Sequence, residues 1–224
     1  MAGIQIRKYR DDDAETVKEI FTNGLSEHVP SSFMHILKQP LTQMVLMCLF
    51  CALMASSRSF LLPILAATLF LAGTRQFVIY MLNRYIDKSF RSDLNKISEV
   101  YMQQKDSCFW VAEIDGRVVG CVACLPAARS PGCLELKRMS VRRSHRGMGI
   151  AKALCKTVAD FTRDRGFPAV ILYTSTVQTD AQKLYEHMGY TRLREFAIPE
   201  LVGKILNFTL IEYRLDLQAD GKKD

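Results

Sequence analysis

The sequence predicts an α/β fold: a mixed, mostly antiparallel sheet flanked by helices, with an inserted hydrophobic hairpin. Three parts of the chain support this prediction. Residues 1–39 begin with a strand and a helix, and residues 87–218 read as a helix, a β-hairpin and then alternating strands and helices. Between them, residues 40–86 are much more apolar than either flank. Residues 219–224 form a charged tail.

The composition limits the classes of partner and compartment. The 224 residues carry 30 Lys and Arg against 23 Asp and Glu, a net charge of +7 that suits an anionic small molecule, anionic lipid or nucleic acid without choosing among them. The seven cysteines are scattered among apolar residues, which predicts a reducing compartment. Two CxxC spacings begin at Cys48 and Cys121, but neither has histidine partners, so we expect no metal site. In a strand, Cys121 and Cys124 would also lie on opposite faces.

The first elements are a strand and a capped helix. Ile4–Tyr9 alternates like a strand, and Asp11–Asp13 can cap a helix that runs to about Leu25. Because this N-terminus is polar, no cleavable signal peptide is predicted.

The apolar insertion consists of the arms MVLMCLFCALMA and FLLPILAATLFLAG, which SSRS separates, followed by FVIYML. It fits a single membrane span, a hairpin that enters and leaves the membrane, or a pair of buried core helices. A span needs about 20 apolar residues, and neither arm comfortably reaches that length. A charge at the bilayer centre costs about 2.5 to 3.5 kcal/mol, which favours Arg58 at a hairpin tip. Positive residues on both flanks favour cytosolic ends: Lys38, Arg75, Arg84, Lys88 and Arg91.

The rest of the chain predicts a globular domain. A helix is expected over residues 90–104, and Asp115-Gly116 marks a tight hairpin between two apolar strands. The elements that follow are a strand at Leu134–Val141, a helix from Ile150 to about Arg165, a strand at Ala169–Thr174, a helix from about Thr179 to Met188 and a strand at Ile205–Leu217.

The stretch SHRGMGIAKAL, residues 144–154, predicts an anion-binding turn. A strand that enters a glycine-containing turn at the start of a helix presents free N–H groups and the positive end of the helix dipole. Gly147 and Gly149 let a ligand approach the backbone, and Arg146 adds positive charge. The Gly-Lys-Ser/Thr ending of a Walker A loop and the third glycine of a dinucleotide-binding fingerprint are both missing.

These residues resemble the GNAT acyltransferase family. The turn RGMGIA fits the signature [Q/R]-x-x-G-x-[G/A], which in that family holds the pyrophosphate of acetyl-CoA, and AQKLYEHMGY resembles a later family segment. Together with IRKY, SCFWVAE and the apolar insertion, they resemble the membrane-bound camello-like N-acetyltransferases. The resemblance implies the GNAT fold, acetyl-CoA as co-substrate and attachment to the endoplasmic reticulum membrane with the catalytic domain in the cytosol. Because the first strand would join the same sheet as the later strands, it favours a hairpin over a single span.

The resemblance also implies roles for individual residues. Backbone groups of Met139 and Val141 pair with the pantetheine arm, and Tyr185 protonates the leaving thiolate. Glu135 is the candidate base, since strand parity predicts that it faces the same side as Met139; a core tyrosine and a solvated glutamate are the alternative interpretations. The turn that binds the pyrophosphate comprises Arg146, Gly147, Met148, Gly149, Ile150, Ala151 and Lys152.

The acceptor stays open between a small amino-acid derivative, such as a cysteine S-conjugate or aspartate, and a protein lysine, including those of histone H4. Two other classes of function compete with the enzyme. A nucleic-acid-binding module would use the basic residues around the turn, although no recognisable motif accompanies them. A non-catalytic acyl-CoA-binding membrane protein would use the insertion and the turn without turnover.

Overall fold

The computed structural model describes residues 3–57, 59–197 and 207–217. Its strands form one mixed sheet in the order β1-β2-β3-β4-β5-β7-β6, in which β4 and β5 are parallel and the other neighbours antiparallel. The strands are β1 Gln5–Lys8, β2 Cys108–Ile114, β3 Arg117–Pro126, β4 Leu134–Val141, β5 Ala169–Ser175, β6 Thr191–Ala197 and β7 Thr209–Asp216. The predicted mixed, mostly antiparallel sheet is therefore confirmed.

Helices cover both faces of the sheet. They are α1 Ala14–Ser26, α2 Val29–Leu37, α3 Pro40–Ser57, α4 Leu61–Ser89, α5 Ile150–Asp164 and α6 Thr179–His187. On one face, α1 buries Val17 and Phe21 in a cluster that we call the α1-side core. On the other face, α5 buries Leu154 and Val158 in a cluster that we call the α5-side core. Cys121 belongs to the first core and Cys124 to the second, as their predicted opposite orientation requires.

Three elements differ from the sequence prediction. The helix expected over residues 90–104 consists of two wide π-helical segments, Phe90–Leu94 and Ser98–Met102. This geometry turns Asp93 and Tyr101 inward together, and the Tyr101 hydroxyl donates a hydrogen bond to the Asp93 carboxylate. Helix α2 and strand β6 were not expected, since α2 is short and β6 is a largely exposed, charged edge strand. Of the expected last strand, residues 207–217 are described and contain β7.

The apolar insertion forms two helices that pack against each other. Both α3 and α4 are long and apolar enough to cross a membrane, by length and composition. No residue of α3 is buried, and Met44, Met47 and Leu65 are more than half exposed, which contradicts the interpretation as core helices. The predicted tip residue Arg58 lies outside the described residues.

Helix α4 connects the insertion to the globular domain without a break. It runs continuously through Thr74–Gln76, where the sequence suggested an interruption. It packs on α1 and α2, its second half buries Val78 and Ile86, and Ile86 belongs to the α1-side core. The last part of the apolar stretch is therefore an element of the domain itself.

Candidate active site

A split between two neighbouring parallel strands forms the centre of the site. The β4–β5 pairing extends only from Leu134 to Leu136, opposite Val170 to Leu172. Beyond this point β5 continues along β7 and β4 continues along β3, so the facing edges of β4 and β5 separate. Among the described residues, no strand pairs with the β4 edge at residues 137–141 on the β5 side.

The open edge of β4 offers backbone hydrogen-bonding groups. The N–H of Arg142 donates to the Val119 carbonyl of β3 over 2.8 Å. Since successive N–H groups of a strand point to opposite edges, those of Val141 and Met139 point into the split. Both residues that the resemblance assigns to the pantetheine arm thus have backbone donors on the free edge.

A β-bulge interrupts β4 just before Met139. Ser140 pairs with Cys121 and Lys137 with Ala123, so two residues of β4 oppose one residue of β3. Arg138 occupies the bulge with a φ of +56°, a left-handed conformation that costs a non-glycine residue of order 1 kcal/mol or more.

Because of the bulge, Glu135 does not face the side of the sheet that the sequence predicted. Met139 packs against the α5-side core together with Leu136, whereas Glu135 lies opposite Leu125, whose side chain packs against the α1-side core. Glu135 and Met139 therefore face opposite sides of the sheet, and the prediction that they share a face was wrong. Strand parity fails here because the extra residue of the bulge shifts the alternation by one.

The turn after β4 presents a series of free amides. Gly147 and Gly149 have φ values of +78° and +84°, so glycine is needed for the backbone conformation, while a Cβ at either position would meet no atom within 4 Å. Among the described residues, the N–H groups of residues 147–149 have no protein acceptor. The first intrahelical bond of α5 runs from the Ala153 N–H to the Gly149 carbonyl, which leaves the N–H groups of residues 150–152 free as well.

The residues of this turn contribute in different ways. The Ile150 side chain is 1% exposed and anchors the helix in the α5-side core, so only its backbone is available to a ligand. Arg146, Met148 and Lys152 are exposed, and Ala151 is partly buried. The turn therefore combines a backbone fixed by Ile150 with exposed positive charge at its rim, an arrangement suited to a phosphate or pyrophosphate.

The Arg146 side chain has a partner that the sequence did not suggest. Its Nη1 atom lies 2.7 Å from Oε2 of Glu27, and its Nε donates to the Val141 carbonyl over 3.3 Å. Glu27 follows α1 and also lines a cavity of about 480 Å³ between α1 and the end of β4. The basic turn and the end of α1 thus meet beside the mouth of the split.

Tyr185 lies in the α5-side core, against which Met139 also packs. Its ring centroid is 5.6 Å from that of Tyr190 and 6.2 Å from that of Tyr213. Burial raises the pKa of the Tyr185 hydroxyl, and the neighbouring Cys155 raises it further, so the phenol stays protonated at neutral pH. Because it keeps its proton, the phenol can act as a proton donor.

Glu135 belongs to a polar cluster on the α1 face of the sheet. Burial raises the pKa of Glu135, although Lys137 and Arg129 oppose the shift. Glu212, across β5, is 2% exposed and pairs with Arg194 of the edge strand β6.

Aromatic and hydroxyl groups complete this cluster. The Tyr173 hydroxyl and the Ser130 Oγ each lie 3.4 Å from Glu212 Oε1. The Arg129 guanidinium stands 5.9 Å from the Tyr173 ring and 5.6 Å from the Phe196 ring. The sequence had not suggested this cluster, because β7, β6 and the β3–β4 loop come together only in the folded sheet.

No group of three or more His, Cys, Asp or Glu side chains able to hold a metal ion occurs within the ranges that the structure describes. The polar groups that the described structure places around the split are the backbone amides, Arg146, Tyr185 and the cluster around Glu135.

The protein is similar to known proteins in sequence and in fold. Residues 77–190 match the acetyltransferase (GNAT) family. The protein is 35% identical to "Probable N-acetyltransferase camello" of Xenopus tropicalis over 219 residues, which cover 98% of this chain and 100% of that protein. It is 40% identical to N-acetyltransferase 8F1 of Rattus norvegicus over 195 residues, 86% of this chain and 88% of the relative. Human N-acetyltransferase 8B is 37% identical over 195 residues, 86% of each chain.

Solved structures agree on the fold. A GNAT-family acetyltransferase of Staphylococcus aureus Mu50 superimposes with a TM-score of 0.56 and 16% identity, over 96% of this chain and 100% of the other. The protein yncA of Salmonella typhimurium, an acetyltransferase solved with acetyl-CoA, gives a TM-score of 0.53 and 12% identity, over 100% and 99% of the two chains. The chain belongs to the GNAT family of N-acetyltransferases, with relatives among the camello and N-acetyltransferase 8 proteins.

Proposed function

We propose that the protein is a membrane-anchored enzyme that moves an acetyl group from acetyl-CoA to a primary amine, either of a small amino-acid derivative such as a cysteine S-conjugate or of a protein lysine, including those of histone H4. One observation carries this proposal. The free β4 edge at Met139 and Val141 leads directly into the unpaired amides of residues 147–152. A pantetheine arm and a pyrophosphate need these two groups in this order.

The proposed acid and the proposed base lie on opposite faces of the sheet. The Met139 N–H donates to the oxyanion that forms when the amine attacks the thioester carbonyl. The new C–N bond converts the carbonyl to this oxyanion; when the carbonyl re-forms, the C–S bond breaks, and Tyr185, on the α5 face, donates its proton to the departing sulfur. Glu135, on the α1 face, accepts the proton that the amine loses, so the acceptor approaches from that side.

The acceptor decides how much a base contributes. A lysine amine with a pKa near 10.4 costs about 4 kcal/mol to deprotonate at pH 7.4, whereas an α-amino group near 7.7 costs little. The raised pKa of the Glu135 carboxyl makes it a better proton acceptor than an exposed glutamate. A lysine substrate would depend strongly on Glu135, and an amino-acid derivative would depend on it weakly.

The strand order supports a membrane hairpin. Strand β1 precedes the insertion, yet it pairs with β2, which follows the insertion, from Gln5–Glu113 to Lys8–Trp110. A chain that enters the membrane after β1 must therefore return before β2. The 18 residues of α3 span about 27 Å at 1.5 Å per residue, close to the bilayer core of about 30 Å. The positive flanks support cytosolic ends. The resemblance of the sequence to the camello-like branch makes the endoplasmic reticulum the membrane that we propose.

The first experiment is release of the CoA thiol by the detergent-solubilised protein. Acetyl-CoA is supplied with an S-substituted cysteine, aspartate or a histone H4 tail peptide. We expect turnover with one acceptor and a loss of at least about tenfold in Tyr185→Phe, because general acid catalysis contributes about 10²- to 10⁴-fold. Tyr190→Phe is the matched control, since it removes an equally buried neighbouring hydroxyl. Acetyl-CoA binding without thiol release from any acceptor would instead favour a non-catalytic acyl-CoA-binding protein.

Topology needs a separate experiment. Epitope tags at the two ends of the protein are exposed to protease in sealed microsomes that contain it. A hairpin predicts that both tags are digested without detergent. Protection of one tag would establish a single span, and release of the protein by alkaline carbonate would exclude an integral anchor.

A further inference from the structure

We infer that Arg138 is a positioning residue for acetyl transfer: its guanidinium, clamped by Asp93 and Ser89, holds the β4 bulge and thereby aims the Met139 N–H into the split. The inference rests on the proposed function, because it assigns a cause to the position of the oxyanion donor. Arg138 itself does not act on the thioester, since its guanidinium is bound to Asp93 and Ser89.

The clamp is a buried, three-point contact. Arg138 Nε donates to Asp93 Oδ2 over 2.8 Å, Nη2 donates to Asp93 Oδ1 over 2.6 Å, and Nη1 donates to Ser89 Oγ over 2.8 Å. The Arg138 and Asp93 side chains are 8% and 7% exposed. A bidentate guanidinium–carboxylate pair fixes both distance and orientation, which a single ammonium contact does not.

The surroundings hold the two partners in place. The Arg138 guanidinium lies 5.1 Å from the centroid of the Phe21 ring of α1, and the Tyr101 hydroxyl donates to Asp93. Tyr101, in the second π-helical segment, therefore holds Asp93, and Phe21 of α1 holds Arg138. Neither side chain has another described carboxylate or guanidinium partner within 4 Å.

The clamp stabilises the unfavourable backbone conformation of Arg138. Arg138 adopts a left-handed φ that non-glycine residues avoid, so something outside the local sequence must stabilise it. The main chain of Arg138 leads directly into Met139, and its carbonyl accepts a hydrogen bond from the Cys121 Sγ at 3.4 Å. If the guanidinium loses its fork, the bulge can relax toward regular pairing, which would turn the Met139 N–H away from the split.

The other end of the clamp belongs to the insertion helix. Ser89 is the last residue of α4, and Asp93 lies in the π-helical segment that continues it. The side chain that shapes the catalytic strand is therefore anchored on the helix that enters the proposed hairpin. No other described ion pair links β4 to this part of the chain.

The test separates the clamp from the backbone conformation and from stability. Arg138→Lys keeps the charge and loses the fork, Asp93→Asn keeps the shape and loses the charge, and Arg138→Gly permits the left-handed φ without a clamp. The control is Arg7→Lys, which breaks a bidentate pair with Asp13, at 2.7 and 2.9 Å, far from the split. Steady-state kinetics of the full-length protein are measured with the acceptor that turns over, alongside the thermal midpoint.

We expect Arg138→Lys and Asp93→Asn to lose about 100-fold in kcat with less than a threefold change in the KM for acetyl-CoA, because a misplacement of about 1 Å can cost that much. Arg138→Gly should lose less, because glycine adopts the left-handed φ without the clamp. Arg7→Lys should lower the thermal midpoint and leave kcat within twofold. Equal kcat in the clamp variants and the wild type, or a loss in Arg7→Lys as large as in Arg138→Lys, would overturn the inference.

A second readout needs no acceptor. The infrared carbonyl band of acetyl-CoA labelled with ¹³C at the thioester carbon is compared free and bound. A donor aimed at this oxygen shifts the band to lower frequency, so the wild type and Arg7→Lys should show the shift, Arg138→Lys and Asp93→Asn should lose it, and Arg138→Gly should keep part of it. A bound wild-type carbonyl without a shift, or a shift that persists in every clamp variant, refutes the inference while leaving acetyl-CoA binding intact. Failure of the wild type to bind acetyl-CoA would refute the proposed function and, with it, the inference.

Discussion

Replacing Arg146 with Met, which has a similar length but no hydrogen-bond donor, tests whether the turn at residues 146–152 binds a pyrophosphate. In the free protein the Arg146 guanidinium pairs with Glu27, and their side chains are 46% and 26% exposed. An ion pair with this exposure contributes about 0.2 to 1 kcal/mol to stability. The variant should therefore fold almost as stably as the wild type.

The effect on the co-substrate should be larger. A hydrogen bond to a charged group contributes about 1.5 to 3 kcal/mol. At about 1.4 kcal/mol for each tenfold change, the KM for acetyl-CoA should rise about 10- to 150-fold. Because the pyrophosphate does not react, this binding is equal in the ground and transition states, and kcat should stay nearly constant.

The assay compares acetyl-CoA with S-acetylpantetheine, which lacks the pyrophosphate. Arg146→Met should raise the KM for acetyl-CoA only, and Lys156→Met, which removes one exposed positive charge farther along α5, should change neither. Glu27→Gln frees Arg146 and should lower the KM for acetyl-CoA or leave it unchanged. The reasoning fails if Arg146→Met weakens both thioesters equally, or if its main effect is on kcat.

Three further predictions concern the packing at Gly120, the ionisation of Glu135 and the buried hydroxyl of Tyr190. Gly120→Ala would place a Cβ 3.1 Å from the Ser140 carbonyl and 3.3 Å from Ile150 and Val141, so the free energy of unfolding should fall by about 1 to 3 kcal/mol in chemical denaturation; an unchanged midpoint contradicts the crowding. A base must be ionised to act, so activity that depends on Glu135 rises as pH passes its raised pKa. Glu135→Gln should remove that rise from the kcat/KM profile, and a profile identical to the wild type would exclude the role. The buried Tyr190 hydroxyl has no partner in the described part of the chain, so Tyr190→Phe should keep or increase the thermal midpoint; a large loss would reveal a hidden bond.

Local periodicity was sufficient to predict most of the fold. The buried side of α1 repeats at Val17 and Phe21, and the Asp115-Gly116 turn lies where the hairpin between β2 and β3 was expected, with φ values of +50° and +73°. Strand β6 was not predicted, because it pairs with β7 on one edge only and is largely exposed. Its sequence therefore shows no apolar alternation. Helix α2 is too short for its periodicity to stand out.

The parts of the candidate site that depend on local sequence could be predicted, whereas those that depend on tertiary contacts could not. The turn from Arg146 to Lys152 is a local motif, so its free amides followed from glycine spacing alone. The Glu27 contact joins residues 119 positions apart, and only packing of α1 on β4 reveals it. The face of Glu135 was mispredicted because a bulge is set by a tertiary contact of Arg138, which strand parity does not contain.

Helix α4 belongs to both the insertion and the domain, and this fixes where the two can be separated. Its first half is largely exposed and apolar, whereas Val78 and Ile86 are buried and Ser89 contacts Arg138. Replacing residues 40–75 with a short glycine linker should therefore give a soluble, cooperatively folded acetyl-CoA-binding domain. Extending the deletion to residue 89 removes Ile86 from the α1-side core and Ser89 from the clamp, and should abolish cooperative unfolding. Cooperative unfolding and acetyl-CoA binding by both deletions would show that the second half of α4 is dispensable, and failure of both would show that residues 40–75 also belong to the folded domain.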